Sequence, residues 1–199
     1  LFLLVRLEIL KGNMVSAKEL LQRAREDIKR QRRYQYIHTL ELCEGFVYSW
    51  LDQAAKIPAW IAKGDMKDSS IYYPTYAFFN IVYGKALLIS GQYLKLLGLA
   101  GQFLEIAGTF PNLLGKVYTL IYVAAANLRL QHRHEALTAV RQAVEIAADD
   151  GLIMPFVENG EHIGALLGEV GKVGRYAGFV ARVKKTYAAT AKKIAAIRA

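Results

Sequence analysis

Three histidine-bearing spots, one cysteine and two tyrosine stripes are the places in this 199-residue chain where residue type and spacing could do chemistry. His38 and Glu41 stand one helical turn apart, a spacing at which they pair with each other or with solvent. His132 and His134 stand two residues apart, which on a helix sends them to different faces and argues against a shared metal ion. His162 lies near Glu158 and Glu161, as acid–base chemistry would ask. No nucleophile, oxyanion hole or second carboxylate framework accompanies it, so a surface loop is the expected setting. Cys43 has no second cysteine to bridge to and sits in an apolar pattern, as a reduced buried thiol does. Gly168-Glu169-Val170-Gly171-Lys172 is the nearest approach to a phosphate-binding loop, and it fails. Its first glycine is wrongly spaced, Val173 stands where Ser or Thr would hold magnesium, and no strand precedes it. The chain is therefore expected to be no enzyme and to carry no cofactor.

The tyrosines are the better candidates. Tyr72, Tyr76, Phe79 and Tyr83 recur at i, i+4, i+7 and i+11, a single helix face, with Asn80 beside it. Tyr118, Tyr122 and Arg129 make a similar stripe further along. A tyrosine offers a flat apolar face and a hydroxyl, which suits a sugar or a small aromatic effector. The same spacing also serves plain packing. Asn80 and Arg129 are the sharper candidates, because a polar group near an aromatic groove costs free energy until it finds a partner. These eight residues form the expected ligand-binding set.

The elements that would position them are helices throughout. Apolar residues recur at three and four and seldom alternate, and prolines number only four, the pattern of an all-α chain. Three stretches repeat one unit, an apolar helix, a short turn and a second helix. The turns fall at Gly12, Gly91 and Gln131, and the second helices carry Ala17, Leu21 and Ala24, then Tyr93, Leu96 and Ala100, then Ala136, Val140 and Ala143. Small residues at Ala17, Gly84, Ala124 and Ala136 let paired helices approach closely. Such offsets resemble the tetratricopeptide pattern of ~34 residues, whose hairpins stack into a curved superhelix because each apolar face needs a neighbour. A poorly marked middle hairpin is expected from Tyr36 to Leu51 and Gln53 to Ala62, with Pro58 bending or restarting its second helix and Trp60 filling the gap. Residues 1–150 read as degenerate hairpins. Residues 151–199 read as a looser, helix-poor capping hairpin punctuated by glycines, followed by a basic C-terminal helix from Tyr176. The whole is expected to be one domain.

The net charge is +9, concentrated at Lys29, Arg30, Arg32 and Arg33 and at Lys184, Lys185, Lys192, Lys193 and Arg198. Neither cluster has the glycine and aromatic interleaving of an RNA-binding sheet motif, so both read as solvated helix faces. No run reaches the ~18 apolar residues of a membrane span; Val117 to Leu128 is too short. A soluble, cytoplasmic domain with no membrane partner is expected. The chain starts at Leu1 inside an apolar pattern, as a processed or excised segment would.

Three blocks, IPAWIAKGD (Ile57 to Asp65), IYYPTYAFFNIVYGKALLISGQYLKL (Ile71 to Leu96) and EALTAVRQAVEIAADDGLIMPFVENGEHI (Glu135 to Ile163), resemble the TPR-like region of the large ATP-dependent LuxR-family regulators of the MalT type. The third is the most specific, its AL-x-x-x-x-x-A-x-x-x-A helix being followed by Gly151, Phe156, Glu158 and Gly160. The resemblance implies a transcription regulator's sensor and relay segment. It would bind a small-molecule inducer, with a sugar as the first class to test, or a regulatory protein, and self-association would accompany activation. ATP and DNA would be bound only by domains absent from this chain. The alternative is a scaffold that docks a partner peptide or helix in its concave groove.

Overall fold

A computed structural model describes residues 1–109, 112–172 and 174–198, and every regular element among them is helical. Eleven α-helices occur among the described residues: α1 Phe2–Lys11, α2 Met14–Arg30, α3 Ile37–Trp50, α4 Ala59–Lys63, α5 Tyr76–Ile89, α6 Tyr93–Thr109, α7 Leu113–Arg129, α8 Arg133–Ala148, α9 Met154–Glu158, α10 Gly160–Val170 and α11 Gly174–Arg198. None is long and apolar enough to cross a membrane.

One local device ends most of these helices. Gly12, Gly91 and Gln131 all adopt the left-handed conformation, with φ of 87°, 71° and 64°. In each case the next amide reaches back to the carbonyl five residues earlier, Asn13 to Glu8, Gln92 to Leu87 and His132 to Asn127, at 2.8–2.9 Å. This is the Schellman closure, which satisfies carbonyls left over at a helix end. Arg32 and Asp52 close α2 and α3 in the same way. Repetition of helix, left-handed turn and helix is thus a property of the backbone as well as of the sequence. Asn13 and Asn112 then start α2 and α7 by accepting the amides of Ser16 and Gly115, the N-cap role of a short polar side chain.

The chain divides into two compact units, Leu1–Ala86 with Ala189–Ala199, and Leu87–Ala188. The first has an aromatic core in which Phe2, Phe46 and Phe78 lie 4.9–5.9 Å apart. Arg25 of α2 forks onto Glu44 of α3 at 2.7 and 2.8 Å, and Arg198 donates to the Trp50 carbonyl at 2.8 Å. Pro58 does restart the chain. It is the N-cap of the short α4, after a 3-10 turn at Ala54–Lys56. The second unit packs α6, α7 and α8 side by side, with α9 against α7 and α10 against α8. Ala124 and Ala136, expected at close helix approaches, are fully buried here, as is Ala17 in the first unit.

The segment expected to be loose is helical instead. Gly164 and Gly168 lie inside α10, and α11 begins at Gly174. Two of its glycines are there to admit side chains. A Cβ on Gly160 would stand 2.5 Å from the Tyr187 ring, and one on Gly171 would stand 2.9 Å from Val180. Close packing, which composition does not display, is what calls for glycine at these two ends of α10.

Candidate functional site

The Tyr72 stripe breaks at its first member. Tyr72 has extended backbone and precedes a 3-10 turn at Tyr73–Thr75, so the helix that carries the stripe starts only at Tyr76. Pro74 explains the break, because a proline lacks an N–H and is tolerated only in the first turn of a helix, so helical structure cannot extend a full turn before it. Tyr72 is exposed and Tyr76 half-buried against Tyr73, with ring centroids 5.2 Å apart. Phe79 and Tyr83 are buried. Phe79 stacks on Trp60 at 5.7 Å with planes 16° apart. Tyr83 lies over Gly64 and donates its hydroxyl to the Lys63 carbonyl at 3.4 Å. These two aromatic side chains pack between α5 and α4. Asn80 is also buried, and its Nδ2 finds no hydrogen-bond partner among the described residues.

The second stripe is likewise internal. Tyr118 and Tyr122 on α7 are buried, with rings 6.0 Å apart. The Tyr118 hydroxyl donates to the Glu158 carboxylate. Burial pushes the Tyr122 hydroxyl well above the usual tyrosine range, and Glu158 adds to the effect. Arg129, at the last turn of α7, is exposed. Glu158 therefore occupies no surface loop. It ends α9 and is only 5% exposed, and the buried tyrosine gives it the donor that a buried carboxylate requires. His162 on α10 is largely covered, with Nε2 3.5 Å from Glu161.

His38 and Glu41 do not pair with each other. Glu41 accepts the Trp60 indole N–H at 2.7 Å. His38 Nδ1 accepts the Ser70 amide at 3.0 Å, and Ser70 in turn donates its hydroxyl to the Gln35 carbonyl at 2.7 Å. Ser70 thus fastens the irregular segment after α4 to the start of α3. Cys43 is free and buried, and burial pushes its thiol up to about 11, far from a reactive thiolate. Gly168 lies within α10, and Gly171 has right-handed helical backbone, so no phosphate loop forms there; Val173 is outside the described residues.

One concavity of the second unit was not legible from the tyrosines. Helices α6, α7 and α8 enclose a groove of about 420 Å³ with Ala100, Leu104, Leu120, Val123 and Ala139 among its lining. Glu135, Thr138 and Gln142 of α8 line it too. Their spacing of three and four is the signal that could have found it, a polar stripe bordering the apolar face of the helix. Asn127, which also lines the groove, donates to Val123 at 3.0 Å. The candidate residues are divided between the two units. No protein-family model, curated protein or solved structure matches the chain.

Proposed function

We propose that this chain is the non-catalytic, effector-sensing and signal-relay domain of a cytoplasmic LuxR-family regulator of the MalT type, its hairpins stacked as a TPR-like superhelix. The observation that carries the reading is Asn80. A buried amide donor without a partner costs about 1–3 kcal/mol, and a protein retains such a group where a ligand completes it. Aromatic neighbours on the same helix, Tyr76 foremost, supply the flat surface that a sugar or aromatic inducer stacks on. Ligand would favour one arrangement of the helices and so bias further domains that bind nucleotide and DNA, with self-association of the active form. The test is a thermal-shift screen of the chain with oligosaccharides and aromatic acids. A ligand at a hundred times its Kd adds about 2.7 kcal/mol. The expected result is a saturable shift that Asn80→Leu abolishes while leaving the unliganded protein as stable or more so. A shift unchanged in Asn80→Leu refutes the assignment.

The α6–α7–α8 groove favours a second reading, a scaffold for a partner helix. Its apolar residues and polar stripe match an amphipathic helix better than a compact polar ligand. Thr138→Lys on the exposed face of α8 would weaken capture of such a partner and leave an Asn80-dependent ligand shift untouched.

A further inference from the structure

The exposed aromatics among the described residues lie on two segments that Ser70 ties together. Among the described residues the large aromatics that are exposed are Tyr34, Tyr36, Tyr72 and Tyr73, at 59%, 46%, 65% and 45%. Tyr34 and Tyr36 flank Gln35, whose carbonyl accepts the Ser70 hydroxyl at 2.7 Å, and the Ser70 amide reaches His38 at 3.0 Å. Tyr72 and Tyr73 follow Ser70 by two and three residues, a chain reach of roughly 7–11 Å. The Ser70 clamp therefore holds the backbones of two pairs of exposed tyrosines, from distant parts of the sequence, near one another at the surface of the first unit.

The densest basic run of the chain leads into that surface. Lys29, Arg30, Arg32 and Arg33 are all exposed at the end of α2 and in the turn that follows. Arg30 is engaged with Asp27 at 2.5 Å, while Lys29, Arg32 and Arg33 form no ion pair among the described residues. Arg32 occupies the left-handed turn position, φ 53°, which turns the chain from the helix into the tyrosine-bearing 3-10 turn Tyr34–Tyr36. An apolar core has no use for four water-facing tyrosines, and three uncompensated cations beside them select a polyanion with flat faces.

We infer that this surface binds single-stranded nucleic acid, with Lys29, Arg32 and Arg33 on the phosphates and the tyrosines stacked on unpaired bases. Both halves of that chemistry are present: a cationic track for the backbone and aromatic platforms for the bases. A duplex offers the cations the same phosphates but leaves the tyrosines without a base face to stack on. The residues tested here are neither Asn80 nor any that lines the α6–α7–α8 groove, so the outcome does not depend on the sensor reading.

Fluorescence anisotropy of the full chain with a labelled oligothymidylate tests it. Binding is expected at low salt, with an affinity that falls as salt rises by a log–log slope of about 0.7 per phosphate contacted. Arg32→Asn combined with Arg33→Ser should lower the slope by one to two such steps; asparagine tolerates the left-handed backbone. Tyr34→Ala with Tyr36→Ala should weaken binding about tenfold or more, at unchanged slope. Phenylalanine at both positions should restore it. Arg141→Ala, an exposed cation on α8, should change neither quantity. Circular dichroism confirms that each variant is folded. The inference is overturned by absence of binding in low salt. It is equally overturned if duplex DNA or polyglutamate binds as tightly as oligothymidylate and the tyrosine substitutions have no effect.

Discussion

Replacing Gly64 by alanine tests whether Tyr83 is a packing residue or part of an open wall. Two costs apply, and the structure separates them. Gly64 has φ of 76°, where an L residue pays about 1–2 kcal/mol. The new Cβ would also stand 2.4 Å from Tyr83 Cζ and 2.6 Å from its hydroxyl oxygen. That ring cannot simply swing away, because it is buried and tilts against Phe79 at 5.6 Å, and Phe79 is itself stacked on Trp60. Overpacking of this kind costs about 1–3 kcal/mol, so Gly64→Ala should lose roughly 2–5 kcal/mol in all. Tyr83→Leu deletes the ring atoms that clash and leaves the backbone term untouched. In that background Gly64→Ala should cost only about 1–2 kcal/mol, a coupling of about 1–3 kcal/mol in a double-mutant cycle. Urea unfolding followed by circular dichroism gives the four free energies, with equal m-values as the check on two-state behaviour. An equal cost of Gly64→Ala in both backgrounds would refute the seating of Tyr83 over Gly64. An accompanying expectation is that a thermal scan of Gly64→Ala shifts by about 2–4 °C for each kcal/mol lost.

Other consequences follow from buried polar groups and turns. Tyr118→Phe removes the hydroxyl donor of a buried carboxylate and should lower stability by about 1.5–3 kcal/mol; a loss below about 0.5 kcal/mol by urea unfolding, within the range of neutral surface changes, would mean that Glu158 does not depend on it. Gln131→Gly should raise stability by up to about 1 kcal/mol, since Gln131 holds a φ of 64° that glycine adopts freely. A thermal midpoint that falls instead would show that the side chain contributes more than the strain costs. Cys43 should resist a thiol reagent at pH 8 in the native state and react fully in denaturant. With its thiol raised to about 11 in the fold, the unfolded chain loses this proton first. Its contribution is intact below about pH 8.5 and is lost progressively as pH climbs toward 11, seen as a falling urea midpoint. Rapid labelling of the native thiol at pH 8 would contradict this burial.

Helix content was legible because it depends on local periodicity. Apolar spacing of three and four, few prolines, and turn residues at Gly12, Gly91 and Gln131 mark helices and their ends without reference to anything distant. The proline restart at Pro58 was equally local, since the ring removes its own donor wherever the residue lies. The same logic failed at Tyr72, where Pro74 overrode a tidy aromatic spacing, and in residues 151–178, where glycines suggested a loose segment. Gly160 and Gly171 are small because Tyr187 and Val180 press against them, and contacts between residues so far apart leave no local pattern.

From the chain alone came the all-helical class, the hairpin-like repetition and the buried cysteine. Each follows from residue type and short-range spacing. The fate of the candidate site residues lay elsewhere. A tyrosine at a given helical spacing can face a ligand, a neighbour or water, and free energy decides among them only after the other helices are in place. Packing took Phe79, Tyr83, Tyr118 and Tyr122 inside, while Tyr34, Tyr36, Tyr72 and Tyr73 stay in water on two segments that Ser70 ties together from over thirty positions apart. Burial is a sum over neighbours from the whole fold, and no window of sequence contains that sum.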